Sequence, residues 1–129
     1  MVLPPTSSAD PRVSERRLLD RLLGMYTEQQ RLYGDVLTLS RRQQELIRNG
    51  APLPVIRKVL HDKKAKLAVI HRLELVEETS KQQWRQGRPR WSADSRATLH
   101  RALESVGRVI EEILACEEEN DRELLHQCR

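Results

Sequence analysis

The sequence predicts an all-α protein, an extended antiparallel bundle of about three long helices with coiled-coil-like packing. Three observations carry this. Apolar residues recur at alternating steps of four and three along most of the 129-residue chain. Two breaks rich in Gly and Pro divide it into segments of similar length, as antiparallel neighbours in a bundle require. No run alternates with period two for long enough to make a sheet.

Composition agrees. Charged residues make up 33% of the chain and aromatics 3%, with no Phe. The core must then be built from Leu, Ile, Val and Ala, which favours long helices with narrow apolar stripes. No uninterrupted apolar run is longer than Leu67 to Ile70, which is far short of the roughly 18 residues of a membrane span. Met1-Val-Leu-Pro-Pro has no basic region followed by an apolar one, so no secretory signal is expected and the location expected is the cytoplasm. Cys116 and Cys128 fall on one predicted helix, about 18 Å apart at 1.5 Å per residue. A disulfide needs Cα atoms within about 7 Å, so two free thiols are expected, Cys116 packed and Cys128 near a frayed end.

Residues 1–10, dominated by Pro, Ser and Thr, read as a disordered leader before a single helical domain over 11–129. The first helix is expected over about 11–49. One seam runs through Leu18, Leu22, Met25, Gln29, Leu32, Val36, Leu39, Gln43 and Leu46. A second lies beside it, through Leu19, Leu23, Tyr26, Tyr33, Leu37 and Ile47. Two adjacent seams make a stripe wide enough for two other helices. Gln29 and Gln43 interrupt the first seam, and polar seam residues usually set register.

Asn49-Gly50-Ala51-Pro52-Leu53-Pro54 is the first break: Gly supplies the left-handed stop of one helix and Pro54 suits the first turn of the next. The second helix is expected over about 54–86, with Ile56, Leu60, Lys63, Leu67, Ile70, Leu73 and Trp84 facing inward. Gly87-Arg88-Pro89-Arg90-Trp91-Ser92 is the second break, by the same logic, with Ser92 or Asp94 as N-cap. Trp84 and Trp91 are expected to clamp this junction. The third helix, about 93–127, carries Leu99, Leu103, Val106, Ile110, Ile113, Glu117, Asn120 and Leu124. Glu117 and Asn120 interrupt this seam near its end and are read as a fraying or exposed terminus.

No catalytic constellation emerges. There is no phosphate-binding glycine loop and no nucleophile elbow. His61, His71, His100 and His126 are scattered. Glu123-Leu-Leu-His126 has the Glu-x-x-His spacing of di-iron bundles, but such bundles use it twice, with a Glu from each of two further helices. Helical chorismate mutases place basic residues from several helices inside a bundle, and Lys63 on the middle seam hints at that remote alternative. A long Lys stem across the seam edge with its head in water explains Lys63 better. The expectation is no enzyme, no cofactor and no metal.

Charge is uneven. From Arg41 to Arg90 there are 13 Lys or Arg against 5 Asp or Glu, and from Glu104 to Glu123 there are 2 against 8. Side by side in a bundle these stretches neutralise one another. With no recognition motif on the basic stretch, nucleic acid is not the expected partner.

Two stretches resemble a known family. Leu60-His-Asp-Lys-Lys-Ala-Lys-Leu67-Ala-Val-Ile70-His-Arg-Leu73 is similar to the leucine- and lysine-punctuated second helix of FlgN-type flagellar export chaperones. Ile110-Glu-Glu-Ile113-Leu114-Ala-Cys-Glu-Glu-Glu-Asn120-Asp-Arg-Glu-Leu124-Leu125 resembles their terminal helix, where Glu and Asn precede a pair of leucines. The resemblance covers about 14–126, with the Trp84 to Trp91 linker as a departure. It implies a cytosolic chaperone that binds the C-terminal helical ends of hook-filament junction proteins and delivers them to the export apparatus, with no nucleotide or metal. Other secretion or flagellar chaperones, such as those of the filament cap, and a structural coiled-coil adaptor stay open, as does homo-oligomerisation.

The third segment is apolar on more than one seam, while a bundle core needs one stripe. A helical cargo tail is therefore expected to dock on Leu99, Leu103, Val106, Val109, Ile110, Ile113 and Leu114. The acidic end beyond, Glu117 to Asp121, would orient a basic partner. The alternative is that all seven positions are ordinary core. Val109 and Ile113 are the positions expected to be spare.

Overall fold

Apolar spacing of this kind cannot hide its stripe without neighbours, and the chain supplies them by folding back twice. The computed structural model describes residues 11–128. The leader expected over residues 1–10 lies outside the described residues. Four α-helices follow one another: α1 (Pro11–Arg48), α2 (Leu53–Val76), α3 (Glu78–Gly87) and, after a 3-10 turn at Arg88–Arg90, α4 (Ala93–Gln127). The described residues contain no strand, so the chain is an all-α bundle. Among the described residues no helix is long and apolar enough to cross a membrane.

Helix α1 stops where the first break places the stop. Gly50 adopts φ 67°, and the Ala51 and Gly50 amides donate to the carbonyls of Leu46 and Ile47, at 2.9 and 3.1 Å. These are the paired bonds of a Schellman motif, which require a left-handed residue here. Pro52 caps α2 with φ −59° and ψ 147°, and Pro54 sits in the first turn. The α4 N-cap is Ser92, whose Oγ accepts from the Ser95 amide at 3.1 Å.

The middle segment departs from expectation. In place of one helix over 54–86 there are two, parted at Glu77, whose backbone has φ −98° and ψ 13°. Neither Gly nor Pro marks the spot. The Glu77 carboxylate instead accepts from Arg21 of α1, at 3.1 and 3.2 Å, so a cross-helix ion pair holds the interruption. The second break also works differently from the first. Gly87 has φ −86°, an ordinary right-handed value, so it is not a left-handed stop. It is buried because Trp91 lies on it: a Cβ there would sit 2.1 Å from the indole Cζ2. Trp91 in turn stacks on Trp84, with ring centroids 5.4 Å apart, and its Nε1 donates to the Trp84 carbonyl at 2.7 Å. The tryptophans do clamp this junction.

Helix α1 is the spine, with α2 and α3 on one side and α4 on the other, while the backbones of α2 and α4 scarcely approach. Helices α2 and α3 run back along α1, and α4 runs parallel to it. The Ser92 amide donates to Glu15 at one end (2.5 Å) and Gln127 Nε2 to the Ile47 carbonyl at the other (2.5 Å). Near the Trp end Leu19, Leu22, Met25, Trp84 and Leu99 form the main apolar cluster. Leu32, Val36 and Ile47 of α1, Val59 and Ile70 of α2 and Val106 of α4 continue the core.

Candidate helix-binding groove

Because α1 alone touches both flanking elements, the side chains between α2 and α4 decide what kind of surface lies there. Midway along, they are polar. Lys63 Nζ donates to Gln43 Oε1 of α1 at 2.7 Å and to Glu117 Oε1 of α4 at 2.5 Å. Ser40 Oγ donates to the same Glu117 oxygen at 2.5 Å, and Asn120 Nδ2 donates to the Ser40 carbonyl at 3.1 Å. Two expectations are corrected here. The Lys63 head is not in water: the residue is 7% exposed. Burial is tolerable because two acceptors from two helices converge on the charge. Glu117 and Asn120 are not a frayed end: Asn120 is fully buried and Glu117 is the hub of the layer. Gln29 and Gln43 do make specific cross-helix bonds, Gln29 to Glu74 at 2.6 Å and Gln43 to Lys63.

The Lys63–Glu117 pair also fixes which faces of α2 and α4 turn toward each other. Residues three, four or seven apart share a helix face. Leu60 and Leu67 lie three before and four after Lys63; Leu114 and Ile110 lie three and seven before Glu117, with Leu103 a further heptad back. Leu60, Leu67, Leu103 and Leu114 are exposed and Ile110 half-buried. The middle segment was expected to turn Leu60 and Leu67 inward. Ile70 is buried as expected, but Val59 is buried in place of Leu60 and Leu67, since α1 meets the adjacent stripe of α2, where Lys66 pairs with Asp35 at 3.3 Å. The result is a shallow groove between α2 and α4 with leucine walls.

Toward the Trp end a cavity of about 350 Å³ lies between α3 and α4 over α1. Its floor is Leu22, Tyr26, Trp84, Leu99 and Leu103, and its rim carries Lys81, Arg85, Arg88, Arg96 and His100. Lys81 pairs with Glu74 and Glu78, and the bond to Glu74 raises its pKa. Burial pushes the Glu74 carboxyl up, but hydrogen bonds from Lys81 and Gln29 outweigh it and hold the group below the usual carboxylate value. Burial raises the Tyr26 and Tyr33 hydroxyls, with the Glu74 charge adding to it, so both stay protonated donors.

The seven positions expected to receive a partner are thus divided. Leu99 and Val106 are buried core. Val109, Ile110 and Ile113 are half-buried. Leu103 and Leu114 are 43% and 60% exposed. Ile113 shares the α1-facing side of α4 with Cys116 and Asn120, so the spare surface lies on Leu103, Ile110 and Leu114. Sequence reading missed the α2 wall and the arginine rim. The rim had a signal, the basic run Arg85-Gln-Gly-Arg88-Pro-Arg90, which charge counting absorbed into one long stretch. That stretch is only partly neutralised by α4, through Arg41–Glu112 at 3.3 Å and Lys63–Glu117. Among the described residues no group of three His, Cys, Asp or Glu could hold a metal ion. Set against protein-family models, curated proteins and solved structures, the chain matches none.

Proposed function

We propose that the chain is a protein-binding bundle that holds an amphipathic helix of a partner in the α2–α4 groove, acting as an export chaperone of the FlgN type. The observation that carries the reading is the set of exposed leucines flanking the Lys63–Glu117 layer, Leu60 and Leu67 on α2 and Leu103 and Leu114 on α4, on two helices whose backbones do not close over α1. An incoming helix with leucines at i, i+4 and i+7 would complete a packing that the chain itself leaves open. The cargo class, the helical C-terminal end of a hook-filament junction protein, comes from the resemblance of residues 60–73 and 110–125. Such a tail exposes an apolar face that self-associates, and a groove of this kind masks it until delivery to the export apparatus.

The test is co-purification with the C-terminal helical segment of a junction protein from the same genome. Leu103→Glu with Leu114→Glu should abolish capture while helix content and Tm hold. Capture that survives this double change, or binding of a junction protein lacking its terminal helix, would sink the reading.

A further inference from the structure

The groove is not symmetric end to end. At one end the Arg88–Arg90 turn joins α3 to α4 and closes it; at the other α2 turns away into α1 and α4 stops, so it is open. The closed end holds the arginine-rimmed cavity. Among the described residues Arg85, Arg88 and Arg96 make no salt bridge, while Lys81 and His100 on the same rim have carboxylate partners. These three cations, with no salt-bridge partner among the described residues, stand around an apolar floor of Leu22, Trp84 and Leu99 and form a receptor for a group that is apolar and anionic together. The open end carries both signs, Arg57 and Lys64 on α2 with Glu118 and Asp121 on α4, and selects neither.

We propose that the groove accepts its helix in one direction only, with the partner's C-terminal end in this cavity. A terminal apolar side chain would rest on the floor, and the adjoining carboxylates, including the chain terminus, would face Arg85, Arg88 and Arg96. A helix C-terminus is the negative end of its own dipole and leaves carbonyl groups unsatisfied, so the arginines match it twice. The bound helix then runs antiparallel to α4. This rests on the groove reading above, and the experiment separates the two.

The probe is a synthetic amphipathic helix of about 20 residues, roughly 30 Å long. It has leucines at i, i+4, i+7 and i+11, and it ends in Leu-Glu-Glu with a free carboxylate. A nitroxide is attached at either its first or its last turn. The chain's two tryptophans, Trp84 and Trp91, both lie at the closed end and report which label is near. The C-terminal label should quench their fluorescence and the N-terminal label should not. Amidating the terminus and changing both glutamates to glutamine should weaken binding at least roughly tenfold. Combined Arg85→Glu, Arg88→Glu and Arg96→Glu should do the same at unchanged helix content. Quenching by the N-terminal label, or an affinity indifferent to the peptide's terminal charge, overturns the directional proposal and leaves the groove intact. No binding of the charged peptide to the unmodified protein overturns the groove reading, and this one with it.

Discussion

Lys63 Nζ on α2 lies 2.5 Å from Glu117 Oε1 on α4 and joins two helices whose backbones scarcely approach. The same ammonium is held by Gln43 of α1 at 2.7 Å, so one side chain ties all three long arms of the bundle. Glu117 is partly open to solvent, with 31% of its side chain exposed, so the pair belongs to the groove floor as well as to the core.

Removing one partner of this pair should cost more than removing both. Lys63→Met leaves Gln43 Oε1 without its donor and Glu117 with Ser40 alone and no counter-charge, and is expected to destabilise by about 1–3 kcal/mol. Lys63→Met with Glu117→Leu should recover most of that loss. Urea unfolding of the wild type, both single variants and the double variant measures the coupling. Strict additivity of the two single losses would show that the pair is not coupled.

Gly87 should tolerate no side chain. Its Cβ would meet Trp91 Cζ2 at 2.1 Å, and Trp91 cannot retreat without leaving the Trp84 stack. Gly87→Ala is expected to lower stability by about 1–3 kcal/mol and to shift the tryptophan emission. In a Trp91→Leu background the same change should cost much less. Equal costs in both backgrounds would remove the steric explanation.

Acid should loosen the α2–α3 junction before the rest. Glu77 is held below the usual carboxylate value of 4.5 chiefly by its bond from Arg21, and Glu74 below it by Lys81 and Gln29. Groups depressed in the folded state stabilise it fully above their unfolded pKa. That contribution fades as pH falls through the folded value. Stability should therefore decline below about pH 4.5, with a shallower slope in Glu77→Gln, as acid titration of helix content would measure. Arg21 is well exposed, so solvent screening keeps the effect modest.

The two thiols should react at different rates. Cys128 is exposed, while Cys116 is buried and its pKa is raised by that burial. A disulfide reagent should modify Cys128 rapidly and Cys116 only after unfolding. Comparable rates in the native protein would mean that α4 opens from α1 around Cys116.

Core and groove leucines of α4 should separate cleanly. Leu99→Ala removes a buried side chain from the main cluster and is expected to cost about 2–5 kcal/mol. Leu114→Ala, on a side chain 60% exposed, should change stability by less than about 1 kcal/mol. Thermal melts of the two variants decide this, and similar losses would place Leu114 in the core.

The sequence by itself determined the helical class, the break at Gly50 and Pro52, a cap at Ser92 or Asp94 and the tryptophan junction. Each of these is local: a 4-3 spacing, a left-handed glycine, a hydroxyl before a helix. It also placed Gln29 and Gln43 at cross-helix positions, because a polar residue on an apolar seam has few other uses. Only the tertiary structure decided the rest. The interruption at Glu77 is held by Arg21, 56 positions earlier in the chain. Lys63 and Asn120 read as exposed because the acceptors that make their burial tolerable, Glu117 and the Ser40 carbonyl, lie on other helices. The two apolar seams of α4 look equivalent along the chain. Even within one seam residues part, since α1 covers Leu99 and Val106 while Leu103 stays 43% exposed beside α3. Periodicity tells which residues share a face, but burial depends on which neighbour arrives to cover it.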